Sequence, residues 1–128
     1  MITKRTLKDK ICLTLAISYS FLILILSLIN INDIEIVTLE ASDKFYHIAC
    51  YAIMAFLWSY YTKLKTGSLK NNLILVLIFS ISSFGIIIEV LQLTITDYRS
   101  FDWWDVLANF TGIIFGILSF KIFQKLFN

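Results

Sequence analysis

Residues 73–95, LILVLIFSISSFGIIIEVLQLTI, decide the fold class of this chain. The run is composed of Ile, Leu, Val and Phe with a few small or polar residues, and it contains one ionisable side chain, that of Glu89. A helix needs about 20 apolar residues to cross about 30 Å of hydrocarbon. The run therefore predicts a transmembrane helix.

Three further apolar runs have comparable length, so the predicted spans are about 11–30, 45–62, 73–95 and 104–123. The chain as a whole is 59% hydrophobic and 16% charged, which is far more apolar than a soluble domain. These features predict one domain over residues 1–128, an all-α membrane protein built as a four-transmembrane-helix bundle. The formal net charge of +2 is too small to indicate a nucleic-acid partner.

The first run follows a basic segment and therefore resembles a signal peptide. It is too long for a signal core, and no small-residue cleavage site follows it, so we interpret it as a retained span. Cys12 and Cys50 fall at different depths of antiparallel helices, and a disulfide between them is not expected. With one histidine and no paired-cysteine spacing, the sequence predicts no metal and no cofactor.

Charged residues sort by sign between the spans. Nine of the 11 basic residues lie at the amino terminus, in the second connection or at the carboxyl end, namely Lys4, Arg5, Lys8, Lys10, Lys63, Lys65, Lys70, Lys121 and Lys125. The first and third connections are mainly acidic. Because basic residues accumulate in cytoplasmic loops, both termini are predicted to be cytoplasmic in a bacterial inner membrane.

The second span has one polar helical face. Asp43, His47 and Tyr51 are spaced by four residues and therefore stack along that face. A simpler interpretation is a helix start, in which Ser42 caps the first turn, Asp43 suits the helix dipole, and the two rings anchor at the interface.

The third span has a polar face as well, made by Ser82, Gly85, Glu89 and Gln92 at spacings of three and four. Glu89 lies about 9 Å below the outer end of the helix, where a carboxylate is costly and usually faces a bundle interior or a wet cavity. The alternative is a protonated acid that hydrogen-bonds neighbouring helices as part of the packing.

The fourth span begins with Asp102 and Asp105, a pattern typical of a capped helix start. Asn109 lies one turn deeper than Asp105 on the same face, which capping does not explain. Gly112 and Gly116 continue this stripe and predict close packing against another helix, with Ser82 and Gly85 of the third span as the expected partner.

Three helices thus carry polar residues in the same half of the predicted bundle. The two basic residues of that half, Lys44 and Arg99, lie beside these positions in sequence. The candidate binding residues are Asp43, Lys44, His47, Tyr51, Glu89, Gln92, Arg99, Asp102, Asp105 and Asn109.

These residues form an ordered pattern along the chain. It runs Asp43-Lys44-x-x-His47-x-x-x-Tyr51, then Glu89-x-x-Gln92, then Arg99-Ser100-Phe101-Asp102-x-x-Asp105-x-x-x-Asn109-x-x-Gly112-x-x-x-Gly116. The pattern, over residues 42–118, resembles the VanZ-like family of small bacterial membrane proteins. The family takes its name from a member associated with reduced susceptibility to teicoplanin, so the resemblance implies a cell-envelope setting without implying a reaction.

Two classes of function fit the pattern. In a binding protein, Lys44 and Arg99 would engage phosphate of an envelope lipid or lipid-linked wall precursor, and the acids and Asn109 would position them or bind sugar or peptide. In an enzyme acting on such a lipid, a hydrolase or transferase, His47 or Glu89 would be the general base and Asp105 would orient it. A proton or ion pathway lined by Glu89 and His47, or a purely structural or partner-binding role, also remains open, as does the oligomeric state.

Overall fold

The structure, a computed structural model, describes residues 4–29, 40–95, 97 and 100–127. It contains four α-helices, which are α1 (Lys4–Leu28), α2 (Glu40–Thr66), α3 (Asn71–Ile95) and α4 (Trp103–Phe127). No strand occurs in these described ranges, so the all-helical prediction is confirmed. The expected start of the second helix is wrong: α2 begins at Glu40, and Ser42 therefore lies within the helix and not ahead of it.

Three of the four helices are long and apolar enough to cross a membrane. They are α1 from Thr6 to Leu28, α3 and α4. The prediction of four spans therefore holds in part, since α2 does not reach the same apolarity. Its ends carry charged residues, including Asp43 and Lys44 at one end and Lys63 and Lys65 at the other.

Helix α2 is the central element of the bundle and contacts each of the other three helices. Its side chains Met54, Ala55 and Ser59 are almost completely buried. Burial against protein shields polar groups from lipid, so a helix in this position tolerates a less apolar sequence than one that faces the bilayer. The position of α2 thus explains why its composition differs from that of its neighbours.

Helices α2 and α4 run parallel and form the most extensive helix pair of the described structure. At one end Lys44 of α2 meets the start of α4, and at the other the Phe56 ring lies 5.6 Å from that of Phe120 and 5.7 Å from that of Phe123. Contacts therefore advance along both helices in the same direction.

Two glycines set the closest approach of this pair. A Cβ atom on Gly112 would meet the carbonyl oxygen of Ile48, and one on Gly116 would meet the carbonyl oxygen of Ala52 and lie 2.8 Å from the Cβ atom of Ala55. The prediction of close glycine packing is correct, but the expected partner, α3, is wrong. Glycine spacing indicates a close approach without identifying the facing helix. Here the backbone of α2 at Ile48 and Ala52, together with the Ala55 side chain, provides the complementary surface.

The basic ends of the helices converge at one end of the bundle. A short turn joins α2 to α3, and Gly67 within it has φ of 81°, a left-handed conformation that favours glycine. A cavity of about 540 Å³ at this end is lined by residues that include Lys8, Lys63 and Gln124. The start of α1 and the ends of α2 and α4 therefore meet here, and the acidic candidate residues lie at the opposite end.

Candidate functional site

Lys44 joins α2 to α4 through two ion pairs. Its Nζ atom donates to Asp102 Oδ2 at 2.6 Å and to Asp105 Oδ1. The side chains of Lys44 and Asp102 are about one third exposed, at 32% and 37%, whereas that of Asp105 is 11% exposed. We call Asp43, Lys44, His47, Asp102, Asp105 and Asn109 the α2–α4 polar cluster.

Asp102 caps the start of α4 and also pairs with Lys44. Its Oδ1 atom accepts a hydrogen bond from the backbone N–H of Trp104 at 2.8 Å, and its carbonyl oxygen accepts from the N–H groups of Asp105 and Val106. The predicted cap is confirmed. The other carboxylate oxygen accepts from Lys44, so one oxygen of this side chain caps α4 and the other forms the ion pair.

Charge pairing shifts the pKa values of Lys44 and Asp102 in opposite directions. Hydrogen bonding to Lys44, followed by the Trp104 N–H, lowers the pKa of Asp102 below its ordinary value of 3.8. Burial alone would lower the pKa of Lys44, but its hydrogen bonds to Asp102 and Asp105 outweigh that effect and raise it above the ordinary lysine value. Both residues are therefore charged at neutral pH.

His47 is held from one side by α4. Its Nδ1 atom lies 2.9 Å from Asn109 Oδ1, so in this arrangement the imidazole N–H donates and the amide oxygen accepts. The Nε2 atom lies 3.8 Å from Asp105 Oδ2 and 4.0 Å from Asp43 Oδ1. Asn109, and not Asp105 as expected, is thus the hydrogen-bond partner that orients the imidazole.

The carboxylates of Asp43 and Asp105 both lie near the Nε2 atom of His47. One donor atom from each of Asp43, His47 and Asp105 lies within 4.8 Å of the other two, which is the arrangement of a group that can hold a metal ion. We call these three residues the imidazole–carboxylate triad. Two of them are four residues apart on α2, and the third comes from α4, so the sequence shows two members of the triad on one helix but not the third beside them.

Helix α3 joins the cluster where Gly85 faces Tyr51 and Asn109. A Cβ atom on Gly85 would lie 3.1 Å from the Tyr51 hydroxyl oxygen and 3.2 Å from Asn109 Nδ2. The missing side chain therefore leaves space for a hydroxyl group from α2 and an amide from α4. Tyr51 and Asn109 are both almost fully buried, at 3% exposure each.

Glu89 and Gln92 are buried on α3, as their position in the sequence predicted. Gln92 Nε2 donates to the carbonyl oxygen of Ser27 at 2.6 Å, which ties α3 to α1. Glu89 lies near enough to Tyr51 of α2 for an electrostatic interaction between the two side chains. Side-chain patterns gave no indication of Ser27, because it takes part through its backbone carbonyl.

A cavity of about 230 Å³ lies between α1 and α2 beside these groups. Its lining includes Ser27, Asp43, His47 and Tyr51. The structure thus assembles six of the ten candidate residues in the α2–α4 polar cluster. Tyr51 lies beside Asn109 of the cluster and near Glu89, whereas Gln92 donates a hydrogen bond to the backbone of α1. Arg99 lies outside the described residues.

A family model matches nearly the whole chain. Residues 5–124 match the model of the family described as VanZ/LLP1. The chain belongs to the VanZ/LLP1 family. The match therefore includes α1 as well as residues 42–118, which carry the resemblance, and the chain is a membrane protein of the VanZ type. No curated protein and no solved structure gives a significant match.

Within this VanZ-type chain, the residues that carry the family resemblance are the same residues that meet between α2 and α4. Asp43, Lys44 and His47 come from one helix, and Asp105 and Asn109 come from the other. The parallel pairing of the two helices converts two short sequence patterns into one site.

Proposed function

We propose that this VanZ-type protein crosses the bacterial cytoplasmic membrane four times, with both termini in the cytoplasm. In this arrangement α2 crosses the membrane as well as α1, α3 and α4, and its contacts with these three helices shield it from lipid. All the described basic residues except Lys44 lie at one end of the bundle, which supports this orientation because lysine and arginine favour the cytoplasmic side. The α2–α4 polar cluster then lies at the outer face.

We further propose that the cluster binds the polar headgroup of an envelope lipid or lipid-linked wall precursor. The observation that carries this proposal is Lys44, which is held between Asp102 and Asp105 at the end of an apolar bundle. An ammonium group has three protons to donate, and its two partners among the described residues use two of them. The third is available to a phosphate oxygen of the ligand.

The surroundings of Lys44 suit a ligand that enters from the membrane surface. Four aromatic residues at the starts of α2 and α4 are exposed at the same end of the bundle, namely Phe45, Tyr46, Trp103 and Trp104. Aromatic rings concentrate at the level of lipid headgroups, so they support a position of the cluster at that level. Charged groups between membrane helices are costly, and their retention favours a functional site over a purely structural one.

The family resemblance adds a setting for the ligand. The link between the family name and teicoplanin concerns the cell envelope, and a lipid-linked wall precursor would connect such a protein to glycopeptide susceptibility. The neighbouring acids and Asn109 can hydrogen-bond the sugar or peptide part of such a headgroup.

Native mass spectrometry with retained lipids tests the proposal. We expect the wild-type protein to retain one class of anionic headgroup in preference to bulk phospholipid, and Lys44→Gln to lose that preference. Lys70→Gln is the matched control, because Lys70 is exposed at the opposite end of the bundle. Equal lipid retention by all three proteins would contradict headgroup binding at the cluster.

An enzyme remains a second candidate because of His47. Asn109 fixes the imidazole through Nδ1 and leaves Nε2 directed toward the carboxylates, as in a positioned general base. Loss of headgroup mass during incubation of the protein with its retained lipid, abolished in His47→Gln, would favour a hydrolase or transferase over a binding protein.

A further inference from the structure

We propose that Asp43, His47 and Asp105 bind one divalent transition-metal ion of the zinc class. This site goes beyond headgroup binding and does not require it, because the three donors belong to the protein. It was not expected from the sequence, which shows no paired-cysteine or paired-histidine motif.

The distances within the triad suit a shared ion better than direct hydrogen bonds. His47 Nε2 is 3.8 Å from Asp105 Oδ2 and 4.0 Å from Asp43 Oδ1, beyond the range of about 3.2 Å for hydrogen bonds. Zinc binds imidazole nitrogen and carboxylate oxygen at about 2.0 to 2.2 Å, so two ligands of one tetrahedral ion lie about 3.4 Å apart. A contraction of about half an ångström brings each His47–aspartate pair to this spacing, and the donor atoms of Asp43 and Asp105 lie within 4.8 Å of each other.

The imidazole is already oriented for such a role. Metal-binding histidines usually donate their second ring N–H to an oxygen, which fixes the ring and directs the other nitrogen to the ion. His47 does this through Nδ1 and Asn109 Oδ1, at 2.9 Å. Asn109 is 3% exposed and is held between α2 and α3 next to Gly85. This buried amide is an observation independent of the convergence of the three ligands.

The two oxygens of Asp105 are divided between partners in the same way. Oδ1 accepts from Lys44, and Oδ2 is the oxygen directed toward His47. Lysine therefore orients this carboxylate as Asn109 orients the imidazole. With three aspartates, one lysine and a neutral imidazole, the α2–α4 polar cluster has a formal charge of −2. A divalent ion balances this charge, which would otherwise repel an anionic headgroup at the cluster.

The donor set also indicates the class of ion. One imidazole nitrogen with two carboxylate oxygens suits zinc and similar transition metals, whereas magnesium and calcium prefer ligand sets made of oxygen alone. Asp43 is 45% exposed, so the site opens toward solvent on that side. Three protein ligands leave a fourth position for an external oxygen ligand.

Calorimetric titration of the purified full-length protein in detergent with Zn²⁺ tests the proposal, with no lipid added and any histidine tag removed. We expect one ion per chain, a rise in thermal unfolding temperature on binding, and Co²⁺ absorption bands typical of nitrogen and oxygen ligands. Magnesium at the same concentration should give neither heat nor stabilisation. A failure of headgroup binding would leave these results unchanged.

Variants separate the triad from general surface charge. We expect His47→Ala and Asp43→Ala to abolish saturable Zn²⁺ binding, and Asn109→Ala to weaken it about 10- to 100-fold. Asp43 is the safer variant for folding, since its side chain is half exposed. Asp97→Asn, an exposed acid of the adjoining connection, should bind as the wild type does. Absence of saturable binding in the wild type, its retention in both ligand variants, or equal loss in Asp97→Asn would overturn the proposal.

Discussion

The carbonyl oxygen of Ile48 lies so close to Gly112 that a Cβ atom on this glycine would clash with it. One turn further along, Ala52 stands in the same relation to Gly116. Helices α2 and α4 therefore touch backbone to backbone over two turns. This contact lies directly below His47 and Asn109, so it holds the two halves of the α2–α4 polar cluster at a fixed separation.

We predict that Gly116→Leu lowers the yield of folded protein and its thermal unfolding temperature. A leucine at this position forces α2 and α4 apart, and overpacking of a close contact costs about 1–3 kcal/mol or more. Size-exclusion chromatography and thermal unfolding in detergent measure the effect. Gly112→Ala should act in the same direction, because even one methyl group meets the Ile48 carbonyl.

Ser119→Leu is the matched control for this packing. Ser119 is on the same helix but exposed, so a leucine there faces lipid or detergent. We expect its yield and unfolding temperature to equal those of the wild type. If Gly116→Leu were as stable as Ser119→Leu, the close α2–α4 contact would not exist in the membrane.

The topology can be tested with reporter fusions. Tags at Met1, Gly67 and Asn128 should report the cytoplasm, whereas tags near Glu40 and Tyr98 should report the outside. The reason is the concentration of lysine and arginine at one end of the bundle. A reporter active only outside the cytoplasm that is bright at Gly67 and dark at Glu40 would reverse the orientation and place the cluster inside.

The sequence predicted where the helices lie along the chain more fully than it predicted which helices pack against each other. Apolar length and charge placement were sufficient to recognise the four helices, because a helix satisfies its own backbone and needs no partner to be identified. Helix pairing depends on the fit of whole surfaces. Gly112 and Gly116 therefore predicted a close contact, but they could not indicate whether α2 or α3 supplies it.

In the candidate site, too, the residues on each helix were predictable, but the contacts between helices were not. The spacing of Asp43 and His47 on one helix, and of Asp105 and Asn109 on another, was visible in the sequence. In the structure, His47 meets Asn109 through Nδ1, and Asp105 faces Nε2. These contacts depend on how each of the two parallel helices is rotated about its own axis. No local pattern records that rotation, and the imidazole–carboxylate triad was missed for this reason.

The ion pair of Lys44 predicts how stability depends on pH. The pKa of Asp102 is lower in the folded protein than its ordinary value of 3.8, so its pairing stabilises the fold above that pH and is lost as the pH falls through the folded pKa. The raised pKa of Lys44 keeps its contribution intact until strongly alkaline pH. We therefore expect a plateau across neutral pH and a decline below about pH 4.

Asp102→Asn isolates this contribution. Asparagine also caps helices, so the variant keeps the bond from Trp104 and loses the charge. Its unfolding temperature should be below that of the wild type at pH 7, and the difference should disappear as the pH falls below 3.8. A difference that persists unchanged at pH 3 would mean that the charge of Asp102 does not stabilise the fold.

The remaining prediction concerns Glu89, which is 2% exposed on α3. A carboxylate at that depth is retained at considerable cost, and we expect it to serve function more than stability. Glu89→Gln keeps the shape and most hydrogen bonds of the side chain while it removes the charge. The variant should insert and unfold as the wild type does, yet fail to complement the envelope phenotype of a deletion strain.

Two comparisons make the Glu89 experiment decisive. Asp97→Asn removes an exposed carboxylate at the same end of α3 and should complement fully. Arg99→Ala should fail as Glu89→Gln does, because a guanidinium is suited to bind phosphate or carboxylate through two hydrogen bonds. A packing role for Glu89 predicts instead that glutamine is tolerated in both stability and phenotype. Full complementation by Glu89→Gln, together with a silent Arg99→Ala, would remove both residues from the proposed binding site and leave the α2–α4 polar cluster to act without α3.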